Sequence, residues 1–396
     1  MTPTGQIKIT EKGALLIIAE YPFFVGPLHP DDANALPECL PIYLGIDQKY
    51  AIPRLIMTDQ IRSALQKAYA IGSMVSTPLG ESPLAAGRMN EVLDKLTSLF
   101  NGAIRGKSFL EIGCGNGELL NQLKLRGAIV TGLEIGPQAA VVENRYGIKV
   151  IKEPLTANMQ SGPFDCIYSY GCLEHIDDLD GFFAASRHCL KEQGLFFHSV
   201  PNAQRAFDSV QLDHLQHEHV NYFTPNNGVS LFTAQGFTNA DYSLTKAGNE
   251  LLLWGYHQAS SMPRWPIERI PEETALIRTY AQQLTTKRER THSVLKELIA
   301  NGASLGFYAG GYEYGYFLKS NNIRYFDGDR FKHGKRWLKS LPPIESPSAL
   351  IDAPVDHLIV CKPHYFHDIQ QALVRLGVVP NSIVNIDGIT ANNAMH

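Results

Sequence analysis

The stretch LEIGCGNG, residues 110–117, limits what this chain can fold into more than any other. An apolar run ends in Gly113, Gly115 and Gly117, and the amphipathic segment ELLNQLKLRG follows, closed by Gly127. Strand, tight turn and helix succeed one another. Glycine lacks Cβ and takes positive φ at little cost, so a ligand can reach the backbone where the helix begins. The spacing is G-x-G-x-G with Glu118 after it, so the nicotinamide fingerprint G-x-G-x-x-G is not met. A second strand, AIVTGLEIG, carries Glu134. An acid there, about 20 residues past the glycines, suits hydrogen bonds to ribose hydroxyls. Glu111 precedes the loop, where a carboxylate favours a bound sulfonium or amino group.

The pattern continues as strand and helix in alternation. PQAAVVENRYG reads as a helix with Pro137 near its start and Gly147 after its end. IKVIKE is a third strand, FDCIYSYGCLEHI a fourth, DGFFAASRHCLKEQG a helix and LFFHSVPN a fifth strand. Such alternation predicts a parallel sheet covered on both faces. An insertion over 203–225 follows, then a helix NNGVSLFTAQGF and a strand GNELLLWGYHQ. Residues 272–302 carry a long helical pattern, expected to link two lobes. A second α/β unit begins at SLGFYAGG, with helix YEYGYFLKSN, strands IRYFDGD and HLIVCK, and helix DIQQALVRLG.

The first ninety residues give weaker signals. GALLIIAEYPFFV reads as a strand and turn, TDQIRSALQKAYAIG as a helix, and STPLGESPLAAG as a mobile connector. MNEVLDKLTSLF is amphipathic. At 396 residues two or three domains are expected. The boundaries read as a lid over 1–90, a central domain over 91–260, a linker helix over 261–302 and a C-terminal domain over 303–396.

Composition narrows the partners. The formal net charge is −4 and the charges are interspersed, which gives no reason to expect nucleic acid or an anionic membrane. None of the six cysteines forms a C-x-x-C pair, so neither a zinc ribbon nor a redox motif is expected. MTPTGQIKITEKG has no signal-peptide core, and no run approaches the roughly 18 apolar residues of a membrane span. A cytoplasmic protein is expected, with its oligomeric state open.

FLEIGCGNGELL, GLEIG, FDCIYSYGCLEHIDDL and GLFFHSVPN, in this order and spacing, resemble the class I S-adenosylmethionine-dependent methyltransferases. The resemblance implies an α/β fold: a central Rossmann-like methyltransferase domain, a second Rossmann-like C-terminal domain and a small N-terminal lid. It implies S-adenosylmethionine as cofactor, with Gly113, Gly115 and Gly117 around its methionine part and Glu134 on its ribose. Glu111, Cys114 and Ile135 would flank it, and Tyr170 would line the methyl-transfer pocket. A dinucleotide dehydrogenase or an inactive Rossmann domain is the plainer alternative.

The segment LDHLQHEHVNYFT, residues 212–224, follows the fifth strand, beyond the carboxyl ends where substrates sit in such folds. It resembles the tyrosine-His-Glu-His motif of nucleotide-sugar C-methyltransferases, and GFYAGGYEYGYFLKSNNIRYFDGD resembles that family's C-terminal glycine-rich unit. The resemblance makes His219 the base, Glu218 its neighbour and His175 a further histidine at the end of strand four. Methylating carbon needs an enolate, and histidine accepts a proton near neutral pH. The expected function is C-methylation of a nucleotide-linked keto-sugar. O- or N-methylation of another small metabolite and a non-catalytic binding module are the alternatives.

Two departures stand out. Gln216 holds the place of the family's tyrosine, and only Cys39 lies in the first hundred residues, where the family has a zinc module. His214, His217 and His219 admit a metal site or a solvated loop as other readings, but the residues supply no obvious third ligand, and no metal is expected. His217 reads as structural. Tyr222, Gly310, Gly311, Glu313 and Tyr314 are candidates for substrate contact, although Gly310 and Gly311 also suit a packed turn. HYFHD, residues 364–368, reads as a surface loop more readily than as a cleft wall.

Overall fold

The computed structural model describes residues 7–8, 13–72, 83–159, 161–264, 270–378 and 381–389. The connector expected over 76–87 lies outside the described residues up to position 82. From Pro83 the chain is already in the helix Pro83–Leu99.

Among the described residues the central sheet has seven strands. Across it run Val150–Ile151, Ile129–Leu133, Ser108–Ile112, Phe164–Tyr170, Leu190–Pro201, Glu250–His257 and Phe237–Leu244. The first five are parallel, and Glu250–His257 is antiparallel to both of its neighbours. Numbered along the chain the order is 3-2-1-4-5-7-6. The strand Ser108–Ile112 sits at the point where the order reverses, so its carboxyl end opens the crevice in which such sheets bind ligands. Phe109, Leu110, Ile167 and Phe196 are fully buried, as a sheet covered on both faces requires. The edge strand Phe237–Leu244 was not expected: FTNADYSL is largely polar, and its pairing is irregular between Thr238 and Asp241.

The C-terminal sheet has five parallel strands, in the order Ile344–Glu345, Ile323–Phe326, Leu305–Tyr308, His357–Val360, Ile383–Asn385. This is a second Rossmann-like sheet with its own reversal point, between Leu305–Tyr308 and His357–Val360. The fold is α/β with two Rossmann-like units.

The first residues form an antiparallel sheet of Ile7–Lys8, Ala14–Pro22, Cys39–Ile46 and Pro53–Leu55. Its inward side chains Leu16, Ile18, Ile42 and Leu44 are fully buried. They share one core with Ile277, Tyr280 and Leu284 of the helix Ile270–Ala300 and with Phe307 and Tyr312 of the C-terminal unit. The helix read as a linker is therefore packed between two sheets. Each such side chain contributes about 1.5–3 kcal/mol on burial. Phe24 stacks on Tyr312 at 4.3 Å between ring centroids, and Leu28 bridges to Arg336. The described residues of the stretch expected as a lid thus pack on both the long helix and the C-terminal unit. No helix among the described residues is long and apolar enough to cross a membrane.

Gly315, inside the helix Tyr312–Leu318, lies so close to Tyr325 that an added Cβ would fall 1.6 Å from its hydroxyl. Gly315→Ala is expected to destabilise the chain by about 1–3 kcal/mol through overpacking, read as a lower urea midpoint.

Candidate active site

The carboxyl ends of the central strands form one wall of a cleft of about 1530 Å³. Gly113, Gly115 and Gly117 have φ of 66°, 50° and 74°, a region that L side chains rarely adopt. Gly117 is also closely packed: a Cβ there would meet Val142 at 2.8 Å. Glu134 ties the loop to the second strand, since its carboxylate accepts the N–H of Gly115 at 3.0 Å and of Gly136 at 2.7 Å. Ile135 is 60% exposed and lines the cleft, which suits an apolar ligand face there. Leu155 and Thr156, in the loop after the third strand, line the same end and were not foreseen.

Glu111 is buried beneath the loop, and Tyr168 donates its hydroxyl to it at 2.9 Å. Burial pushes its carboxyl up to about 8 despite that bond. Cys114 lines the cleft, and burial pushes its thiol up. Tyr170 also lines the cleft, with its hydroxyl donated to Glu250 at 2.8 Å.

The histidine loop forms the facing lip. It is pinned from two sides. Leu55 N–H donates to the Val220 carbonyl at 2.9 Å, and Tyr222 N–H to the Pro53 carbonyl at 3.0 Å, so the loop extends the edge of the N-terminal sheet. Asn221 faces the other way. Its Nδ2 donates to the carbonyls of Leu173 at 3.2 Å and Ile176 at 2.7 Å, and its N–H to that of Glu174 at 2.9 Å. These bonds seat the loop on the 3-10 turn Leu173–His175, at the end of the fourth strand.

The result brings His175 and His219 together, with ring centroids 5.3 Å apart. His175 Nδ1 lies 2.8 Å from the Glu218 carbonyl oxygen, so the ring proton sits on Nδ1 and is donated there. Burial lowers His175 to about 4, and burial together with His175 and His214 lowers His219 well below the ordinary histidine value. Burial raises Glu218 to about 8, with Glu174 adding to it. At neutral pH both rings are neutral and the Glu218 carboxyl is protonated. A neutral His175 whose proton is on Nδ1 offers only a lone pair at Nε2. It accepts hydrogen bonds there and cannot donate to a substrate oxyanion.

His217 points away from the cleft. It is fully buried, its Nε2 lies 3.2 Å from the Leu40 carbonyl, and its ring packs against Phe23 at 5.2 Å. His214 lines the cleft beside Asp213, which is paired with Lys362 of the C-terminal unit. Gln216 lines it as well, with its Oε1 unpartnered. Tyr69 enters from the N-terminal helix Asp59–Ala70 and was not singled out from the sequence.

The second set of expected contacts is not assembled. Glu313 is buried and bonded to Arg288 at 2.6 Å, Tyr314 stacks on Phe307, and Tyr222 packs on Phe207. Gly310 and Gly311 support the backbone turn, and a Cβ at Gly311 would meet Phe307 at 2.4 Å. None of these five lines the cleft: the short helix turns Glu313 and Tyr314 into the core, and Tyr222 packs on Phe207. Tyr308, Ala309 and Lys332 line it in their place. His364, Tyr365 and Asp368 of the HYFHD stretch line it too, so that stretch is a cleft wall. Among the described residues one group has metal-compatible spacing, Glu174, His175 and His219, with ligand atoms within 4.8 Å of one another. Glu174 directly precedes His175, and no local sequence pattern marks it.

Residues 85–242 match the family described as "Methyltransferase domain". The chain is 29% identical over 123 residues to a ubiquinone biosynthesis O-methyltransferase of Vibrio atlanticus, covering 29% of this chain and 50% of that one. It is 25% identical over 223 residues to the C-methyltransferase NovU of Streptomyces niveus, covering 52% and 53%. The chain spans about half the length of these curated relatives. A solved structure of 1,6-didemethyltoxoflavin-N1-methyltransferase from Burkholderia thailandensis, with S-adenosylhomocysteine bound, is 20% identical and covers 55% of this chain and 95% of that one at a TM-score of 0.39. Residues 85–242 are a methyltransferase domain.

Two outcomes follow from the loop. Gly117→Ala is expected to weaken S-adenosylhomocysteine binding at least tenfold by calorimetry, about 1.4 kcal/mol, since the loop must shift to clear Val142. The second concerns Glu111. Its folded pKa of about 8 lies above the ordinary 4.5, so its stability term is fully present below 4.5 and is lost as pH rises to 8. Glu111→Gln is expected to flatten that decline in a urea series across this window.

Proposed function

We propose that the chain, built around the methyltransferase domain at 85–242, transfers the methyl group of S-adenosylmethionine to a small sugar-like acceptor held in the cleft. The observation that carries this reading is the placement of His175, Glu218 and His219 on the lip facing the glycine loop, in one cleft with it. The cradle fits the cofactor: three glycines in the left-handed region, an anchored Glu134 and an exposed Ile135. When bound, S-adenosylmethionine supplies an electrophilic methyl group.

The finer reading is carbon methylation of a nucleotide-linked keto-sugar. His219, kept neutral by its surroundings, takes the proton beside the ketone, and Glu218 holds the neighbouring ring through its carbonyl. His175 orients rather than stabilises charge, given its tautomer. Tyr69 brings a phenol to the cleft although Gln216 replaces the tyrosine of the motif. The C-terminal wall, with Tyr308, Lys332 and Tyr365, gives the rest of a large acceptor somewhere to lie. The likeness to the C-methyltransferase supports this, because its 223 aligned residues exceed the length of the segment 85–242 and so reach beyond it. The likeness to the O-methyltransferase favours a second reading, in which His219 deprotonates a hydroxyl.

Calorimetry with S-adenosylmethionine separates an enzyme from an inactive scaffold. A nucleotide-sugar screen in the presence of S-adenosylhomocysteine is expected to raise the melting temperature for the true acceptor class. His219→Ala is expected to slow solvent exchange of the proton beside the ketone by about 10²–10⁴-fold in NMR. Unchanged exchange would remove His219 from the role of base, and a product methylated on oxygen would favour the second reading.

A further inference from the structure

One polar group at the lip has no assigned task. Glu174 is 3% exposed, lines the cleft, and has an Oε2 without a hydrogen-bond partner. Its Oε1 lies 3.8 Å from His175 Nε2, too far for a hydrogen bond. The gap leaves the carboxyl able to bond an oxygen in the cleft at about 2.8 Å. One carboxylate oxygen of Glu174 and one ring nitrogen each of His175 and His219 lie within 4.8 Å of one another. One acceptor oxygen and the carbon beside it therefore fit among the three.

The direction of the hydrogen bonds decides which group donates. His175 gives its proton to the Glu218 carbonyl and shows a lone pair to the cleft. A base, in the role proposed for His219, must also show a lone pair. Charge that develops on the acceptor oxygen needs a donor, and neither ring nitrogen facing it has a proton to share. Glu174 is the remaining member of the trio.

We propose that Glu174 acts as a neutral carboxylic acid that donates its hydrogen bond to the acceptor's oxygen, while His219 takes the proton from the adjacent carbon. This rests on the acid–base reading of the site given above. The balance closes without another reactant. The C–H proton passes to His219, and the Glu174 proton stays on Glu174, bonded to the enolate oxygen. The new C–C bond forms as the S–CH3 bond breaks, the oxygen returns to a carbonyl, and His219 loses its proton to water.

The groups around Glu174 keep the proton in place. Glu218 and Glu250 are carboxyls, Tyr69 and Tyr170 phenols, and Cys172 a thiol, and all of them interact with it. His175 and His219 are neutral. Arg88 lies 3.7 Å from Glu250. Burial, with Glu250 adding to it, raises Glu174 to about 8, so the donor is present at neutral pH and is lost as pH rises past that value.

The test is an infrared pH titration of the full chain with S-adenosylhomocysteine bound, comparing wild type with Glu174→Gln and Glu218→Gln. Thermal melts confirm that each variant is folded. Glu111 and Glu218 add protonated-carboxyl absorbance of their own, so the expected result is read in the wild-type minus Glu174→Gln difference. It is a protonated-carboxyl band at neutral pH that persists in the Glu218→Gln background and that alkali bleaches with a midpoint near 8. The carbonyl band of added thymidine diphosphate 4-keto-6-deoxyglucose should shift to lower frequency on wild type, less on Glu174→Gln and not on Glu174→Ala. An ionised Glu174 at neutral pH overturns the proposal. So does an unshifted carbonyl of the bound sugar, or stoichiometric Zn²⁺ or Mn²⁺ binding that Glu174→Gln abolishes. A sugar that does not bind counts against the keto-sugar reading alone, because the carboxyl band still decides whether Glu174 holds the proton.

Discussion

The geometry of the cleft depends on Asn221. Its side-chain amide and its backbone N–H together meet three carbonyls of the turn at 173–176, and its two neighbours pair with the strand Pro53–Leu55. One residue thus joins the central sheet, the inserted loop and the N-terminal sheet. It is 2% exposed, so its bonds have little competition from water. With both sides engaged, His219 and Glu218 cannot swing independently of His175. A loop of this length is ordinarily the mobile part of a site. Here it is braced as firmly as a strand, and small errors in the placement of catalytic groups are costly.

The same enclosure sets the electrostatics. Histidines at the lip are pushed down by burial and carboxyls up, so the cluster is close to neutral at physiological pH while remaining rich in lone pairs and protons. Each of those shifts removes a charge that burial would penalise. Groups of opposite character with pKa values driven apart are the condition for acid and base work in one small volume.

The cofactor half was legible because its signals are local. Three glycines needing positive φ, apolar runs of strand length and caps such as Gly147 are read from neighbouring residues, and the structure places them as expected. The rest depends on distant partners. CLPIYLGI contains Pro41 and Gly45, which argue against a strand until the neighbours that pair with it are known. Glu313 and Tyr314 carry the right chemistry for a sugar site, yet the direction in which a short helix opens is set by Arg288 and Phe307 far along the chain. Glu174 and Asn221 lay inside stretches already noticed for their histidines. Their roles come from a contact of 47 residues' separation that no local pattern records.

The helix Ile270–Ala300 has a consequence for how the chain is made. The first long strand, Ala14–Pro22, is covered by that helix and by side chains beyond residue 300. Tyr21 finds its hydrogen-bond acceptor at Leu212, 191 positions later. During synthesis the apolar face of the N-terminal sheet must wait, uncovered, until nearly the whole polypeptide has emerged. The central domain has no such delay, since its core clusters draw mostly on residues 89–254. The order of assembly is then the reverse of the order of residues at the start: the middle closes first, and the beginning and the end close together over it.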